Sequence, residues 1–218
     1  QMTPANKTVL ADAVNNLNKL ADKGNNNTLS LGMMEVNRYY GGRASVASHG
    51  KVKSDYATNT THPAKVANLG DYALASNAAG TLYNSPIVDG CQSNFIIYIS
   101  NGGANENASA LSTAQTELNS LGYDTSSTIA ITPDGQRGNW MDEYADYMAN
   151  ADVNTVLSGD QHVYSYTVEV DPVETGTGDD MTALMKSVAL KGKGQYFAVS
   201  SGNAGQDGIR SATVAASW

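Results

Sequence analysis

Ser158-Gly159-Asp160-Gln161-His162 is a stretch in which a carboxylate and an imidazole stand two residues apart, both of them metal-ligating types. In-line displacement at a metal-activated centre needs further His and Asp side chains to hold a second ion. The sequence has three His, and the other two, His49 and His62, fall in a stretch with no helical or strand period. Because SGDQH runs straight into the alternating VYSYTVEV, a turn entering a strand explains it better. Ser-His-Asp catalysis lacks its Gly-x-Ser-x-Gly elbow. Lys191-Gly192-Lys193-Gly194 lacks the spaced Gly-Lys-Ser/Thr of a phosphate cradle and reads as a helix stop before a strand. The acceptor-like triplets at Asn6, Asn59 and Asn107 read as chance. The single Cys91 reads as a small buried hydrophobe, with a disulfide to a partner outside the chain as the alternative. No catalytic residue is assigned, and a non-enzyme is expected.

The elements that position these residues follow from hydrophobic spacing. Val9, Leu10, Ala13, Val14, Leu17 and Leu20 predict an amphipathic helix over 7–22, stopped by Gly24 and three Asn. Leu29, Met33, Val36 and Tyr40 predict a second helix over 29–40, ended by Gly41-Gly42. From Arg43 to Gly90 the pattern dissolves into small and polar residues, and 43–90 reads as a long surface insertion. NFIIYIS at 94–100 predicts a strand covered on both faces, as in a parallel sheet. A helix around Leu111–Leu121, a short β-prone piece at 128–132 and a helix at 140–148 come next. Then follow a strand at 163–170, a structureless turn at 174–179, a helix around 181–188, a strand at 195–199 and a last helix at 208–217. Strands alternating with helices imply an α/β fold with a doubly wound sheet.

With 218 residues, 41% hydrophobic and 16% charged, the chain can bury a core as a single unit, 1–218. A formal charge of −8 and unclustered Lys and Arg argue against a nucleic-acid partner. No apolar run reaches the roughly 18–20 residues of a membrane span. The surplus of Asn, Ser, Thr, Gly and Tyr over Lys and Glu resembles that of extracellular bacterial adhesins.

Several segments together resemble the von Willebrand factor type A-like domain of type IV pilus tip-associated adhesins. They are NNLNKLADKGNNNTLSLGMMEVNRYYGG at 15–42, a long insertion, Ser85-Pro86-Ile87-Val88 with CQSNFII at 91–97, the helix at 140–148, YSYTVEV, and LMKSVALKGKGQYF at 184–197. The resemblance implies a Rossmann-like sheet with helices on both faces and non-catalytic adhesion or assembly outside the cell, at the cell surface or pilus tip. Its partners would be pilus or cell-surface proteins or a host ligand. Such domains open on a strand carrying Asp-x-Ser-x-Ser, which does not occur before Asn15, so the domain reads as incomplete on its N-terminal side. The apolar 94–100 strand would then be completed by absent strands or by a neighbouring chain. In this family an ion sits above the sheet. Thr28 falls on its Thr ligand and Asn101 where an Asp stands, which implies a degenerate Mg²⁺ or Ca²⁺ position and no expected cofactor. A helix N-cap explains Thr28 better than an ion ligand, and a turn residue explains Asn101 better, so an occupied ion site is not expected. Tyr56, Tyr72 and Tyr83, in the insertion, are the candidate partner contacts. The GDQH stretch is similar to the strand end of metal-dependent phosphoesterases, with Asp160 and His162 as ligands, and that remains the enzymatic alternative.

Overall fold

Strand β1 (Asn94–Ser100) is apolar at five consecutive positions, and its neighbour in space is the next strand in sequence, β2 (Val163–Val170). The computed structural model describes residues 4, 5, 7, 8, 11, 28–46, 82–100, 103, 105–172 and 177–199. The chain divides into two compact units, one of 1–25 and 38–86, the other of 26–37 and 87–218.

In the second unit, β1, β2 and β3 (Lys193–Val199) form a parallel sheet in that order, so the fold is α/β. Phe95 pairs with Tyr164 and Val168 with Phe197, which sets the facing of every side chain. The helices are α1 (Leu29–Tyr40), α2 (Ala108–Ser120), α3 (Met141–Asn150) and α4 (Thr177–Lys191). The expected helix over 29–40 has those bounds. Pro4, Ala5, Lys7, Thr8 and Ala11 are helical, while the rest of the 7–22 helix and the 208–217 helix lie outside the described residues.

Local chemistry sets the helix ends. Asn107 caps α2, its side chain accepting from Ala110 N at 2.9 Å. The far end closes through Gly122 at φ 85°, with Gly122 N donating to Asn119 O and Tyr123 N to Leu118 O, the double bond of a glycine-terminated helix. Helix α4 buries Met181, Leu184, Met185 and Val188, the predicted stripe. It begins at Thr177, inside the stretch expected to be a structureless turn. The 128–132 piece is not a strand. Ile129 N donates to the Glu143 side chain at 2.7 Å, so its backbone is taken by a helix and not by a ladder.

Helices α3 and α4 pack on one face of the sheet. Thr167 Oγ1 donates to Met185 O at 2.9 Å, and Glu169 accepts from Thr182 Oγ1 and Tyr196 Oη at 3.0 and 2.8 Å. The inward side chains of β2 are therefore largely polar, and hydrogen bonds offset their desolvation. On the opposite face Val168 and Val199 pack with Val170 and Phe197. Phe95, Ile97 and Ile99 on that face are 38%, 37% and 52% exposed, so among the described residues β1 is covered on one side, where its composition suggested both. Alternate residues of a strand point to opposite faces, and the α3–α4 layer reaches only one of them.

The Lys191–Gly194 run ends α4 and opens β3, which starts at Lys193 and not at the expected 195. Gly192 N donates to Val188 O at 2.9 Å, Lys193 turns at φ 54°, and its ammonium donates to Ala149 O at the end of α3. A register irregularity between Ser165 and Thr167 brings β3 against β2, where a Cβ on Gly194 would stand 2.1 Å from Ser165 O. Gly194→Ala is therefore expected to destabilise the protein by about 1–3 kcal/mol or more, read as a lower urea midpoint. An unchanged midpoint would mean the bulge is not required.

Candidate functional site

In parallel α/β sheets, ligand sites form beyond the carboxyl ends of the strands. The connection from β1 to α2 leaves that end, and within it lies Glu106. One oxygen of Glu106 accepts two bonds, from Ser30 N at 2.8 Å and from Asn139 Nδ2 at 3.1 Å. Asn139 Oδ1 accepts from Ser30 Oγ at 3.1 Å and from Met141 N at 2.9 Å. Ser30 Oγ also accepts from Trp140 N at 3.0 Å. The starts of α1 and α3 are thus tied to each other and to the β1–α2 connection by one polar junction. Ser30 is 0% exposed and Asn139 2%. Tyr98 lies near by on β1; burial first, and the Glu106 charge after it, raise its hydroxyl above the ordinary phenol value.

Thr28 immediately precedes α1, and its carbonyl accepts from Gly32 N at 3.0 Å. The N–H of Ser30, which a capping Thr hydroxyl would ordinarily receive, goes to the Glu106 carboxylate instead. A carboxylate at a helix start also opposes the positive end of the helix dipole. Asn101 lies outside the described residues, as do Tyr56 and Tyr72.

Mg²⁺ and Ca²⁺ take six to eight oxygens, and among the described residues here Ser30 Oγ and Glu106 Oε1 are already committed to N–H and amide groups. Glu106 Oε2 is buried without a donor. Among the described residues no group of three or more His, Cys, Asp or Glu stands together as a metal cluster.

The opposite end of the sheet holds the other flagged residues. Gln161, 1% exposed, folds the turn before β2: its Nε2 donates to Ser158 O and Gly159 O, and its N–H to Asp152 Oδ1. Asp160 points outward, and His162 holds Ala151 O through Nδ1 at 3.1 Å. The turn before β1 lies against this one, since a Cβ on Gly90 would be 2.8 Å from Ser158 O. Cys91 sits on that turn and is exposed and unpaired, which corrects its reading as a buried hydrophobe. Its N–H donates to Asp89 Oδ1, a turn bond that faces the thiol outward.

In the first unit, Tyr83 is half-buried. Its hydroxyl donates to Ser45 Oγ at 3.2 Å, and its ring meets Tyr39 edge-on at 5.6 Å. Ala44 and Leu82 form an antiparallel bridge that closes the base of the insertion. Tyr83 is therefore spent in part on closing that base. Burial pushes Tyr40 up to about 12, with Tyr39 contributing. Sequence reasoning missed Ser30, Glu106 and Asn139. The available signal was the polar run Asn105-Glu106-Asn107 before α2 and Asn139 before Trp140, each of a type that caps helices.

Comparison with protein-family models, with curated proteins and with solved structures finds no match to this chain. No helix among the described residues is long and apolar enough to cross a membrane.

Glu106→Ala is expected to cost about 1–3 kcal/mol, because it strands the Ser30 N–H and the Asn139 amide, and Thr28→Ala is expected to cost clearly less. Urea denaturation of both variants measures this. Equal losses would return the cap to Thr28.

Proposed function

We propose that the chain is a von Willebrand factor type A-like domain of a type IV pilus tip-associated adhesin, acting outside the cell in adhesion or assembly without catalysis. The observation that carries this reading is the parallel order β1-β2-β3, followed in sequence, with a polar junction beyond the carboxyl end of β1 where α1 begins after Thr28. This is the arrangement that the resemblance implies for the closing half of such a domain. A doubly wound sheet, with a second helical layer on the face of Ile97 and Ile99, belongs to the proposal. Recognition would use the loops at the carboxyl strand ends and the 43–90 insertion. The partners would be pilus or cell-surface proteins or a host ligand. The ion position is read as degenerate, its place taken by the Glu106 junction.

A second reading, a structural subunit whose sheet a neighbouring chain completes, is favoured by β1 itself. It ends the described strand order, has no charged residue, and shows Ile97 and Ile99 to solvent.

Immunogold labelling of piliated cells tests the main reading: label at pilus tips or on the cell surface is expected, and label confined to the cytoplasm would overturn it. Sedimentation of the purified chain separates the two readings. Adhesion predicts a concentration-independent species, and strand completion between chains predicts growth of larger species with concentration.

A further inference from the structure

The sheet face that carries Phe95, Ile97 and Ile99 continues through Tyr164, Tyr166, Val168 and Val170 of β2 to Phe197 and Val199 of β3. None of these residues is charged. Helices α3 and α4, which pack on β2 and β3, lie on the other face. The remaining described helices are tied to that side too, α2 to α3 through Tyr144 and α1 to the start of α3 through Ser30.

Burial across the apolar face is uneven. It is deepest where β3 ends, with Val199 at 9% exposure and Val168 beside it at 0%, and it falls off over Ile97 and Ile99 of β1, at 37% and 52%. A side chain in the middle of an open sheet keeps its tip in water unless a second layer lies over it. Val168 therefore has a cover that helices α1 to α4 do not supply. A second copy is a poor candidate for it, because three part-exposed side chains on β1 fall far short of the roughly 800 Å² per partner that stable association buries. A tethered segment needs less area, since it meets the face at an effective concentration of order mM.

The chain leaves this face at Val199 and continues through residues 200–218, which lie outside the described residues and belong to the same compact unit as the sheet. Residues 1–25, which hold the other expected helix beyond α1 to α4, belong to the other unit. Arg210 is the one charged residue in 208–218, so the segment suits an uncharged face. In the helix expected over 208–217, Ile209, Ala212 and Ala216 fall on one side. Residues 200–207 can span roughly 25 Å, and the distance from β3 to β1 is about 10 Å.

We propose that segment 200–218 folds back from β3 over this face, with Ile209, Ala212 and Ala216 towards Ile97 and Ile99, and so shields β1 from a second copy of the chain. The proposal rests on the reading of a doubly wound sheet and names its second layer; where the chain acts is tested separately by the labelling of cells.

Disulfide trapping on the 218-residue chain tests it. In a Cys91→Ser background, which removes the one native thiol, Cys replaces Ile209, Ala212 or Ala216 in turn. Each is combined with Ile97→Cys or, as control, with Lys186→Cys, and oxidised with diamide. Lys186 stands over the Tyr196 ring of β3 at 5.4 Å on the α4 side, so a segment that docks nowhere would meet it as readily as Ile97. A bond within one chain is expected from Ile97→Cys, formed about tenfold faster than from Lys186→Cys. Equal rates from the two positions, no bond from Ile97→Cys, or bonds only between chains overturn the proposal. The double variant Ile209→Asp, Ala212→Asp leaves the described strands unchanged, and its far-UV circular dichroism checks the fold. In sedimentation this variant is expected to form larger species as concentration rises while the wild-type chain does not. A variant that stays single at every concentration, or a wild-type chain that grows with it, overturns the shielding.

Discussion

The second unit depends on the burial of α3 under the sheet. Eight of its ten residues are buried, and these include Asp142, Glu143 and Tyr144, whose polar atoms must find partners once water is excluded. Each partner comes from a different place. Asp142 takes Ser187 of α4, Glu143 takes the Ile129 amide, and the Tyr144 hydroxyl donates to Ala114 O of α2 at 2.9 Å. The amide just ahead of the helix, Trp140 N, goes to Ser30 of α1. One helix with several buried polar groups thereby fixes the positions of its neighbours. Apolar packing alone would tolerate them in several registers.

This constraint divides the sheet into two unlike ends. At the amino end, the turns before β1 and β2 lie against each other through Gly90 and Ser158, with backbone contact leaving little room. Asn94 Nδ2 donates to His162 O at 3.2 Å, tying the first residue of β1 to the residue before β2. At the carboxyl end, the α1 start and the Glu106 connection meet through side chains, and side chains can vary without disturbing the strands. The proposed recognition surface belongs to this second end for that reason.

Much of the frame is readable in the residue order. The 29–40 helix and the 94–100 and 163–170 strands carry strong periodicity and keep their predicted bounds. The piece at 128–132 misleads because TIAIT has the composition of a strand, while its backbone is claimed by Glu143, a residue whose partner no local pattern announces. For the same reason the junction was not legible: Ser30, Glu106 and Asn139 are separated by up to 109 positions, and polar residues near helix starts are common. Cys91 was misread because burial tendencies of cysteine describe cores, and this one stands on a turn set by Asp89. The exposure of Ile97 and Ile99 also escaped, since an unbroken apolar strand carries no mark of which face its helices will take.

The strand order has a consequence for how the chain assembles. Partners in β2 and β3 lie roughly thirty residues apart and are joined through α4, whereas partners in β1 and β2 lie roughly seventy apart, so closing the second pairing costs more chain entropy. The β2-α4-β3 unit, joined at Gly192, is therefore expected to form first as a local nucleus, with β1 pairing later. Until it arrives, the face of Val163, Ser165 and Thr167 is already roofed by α4, and the waiting edge of β2 has one register to offer.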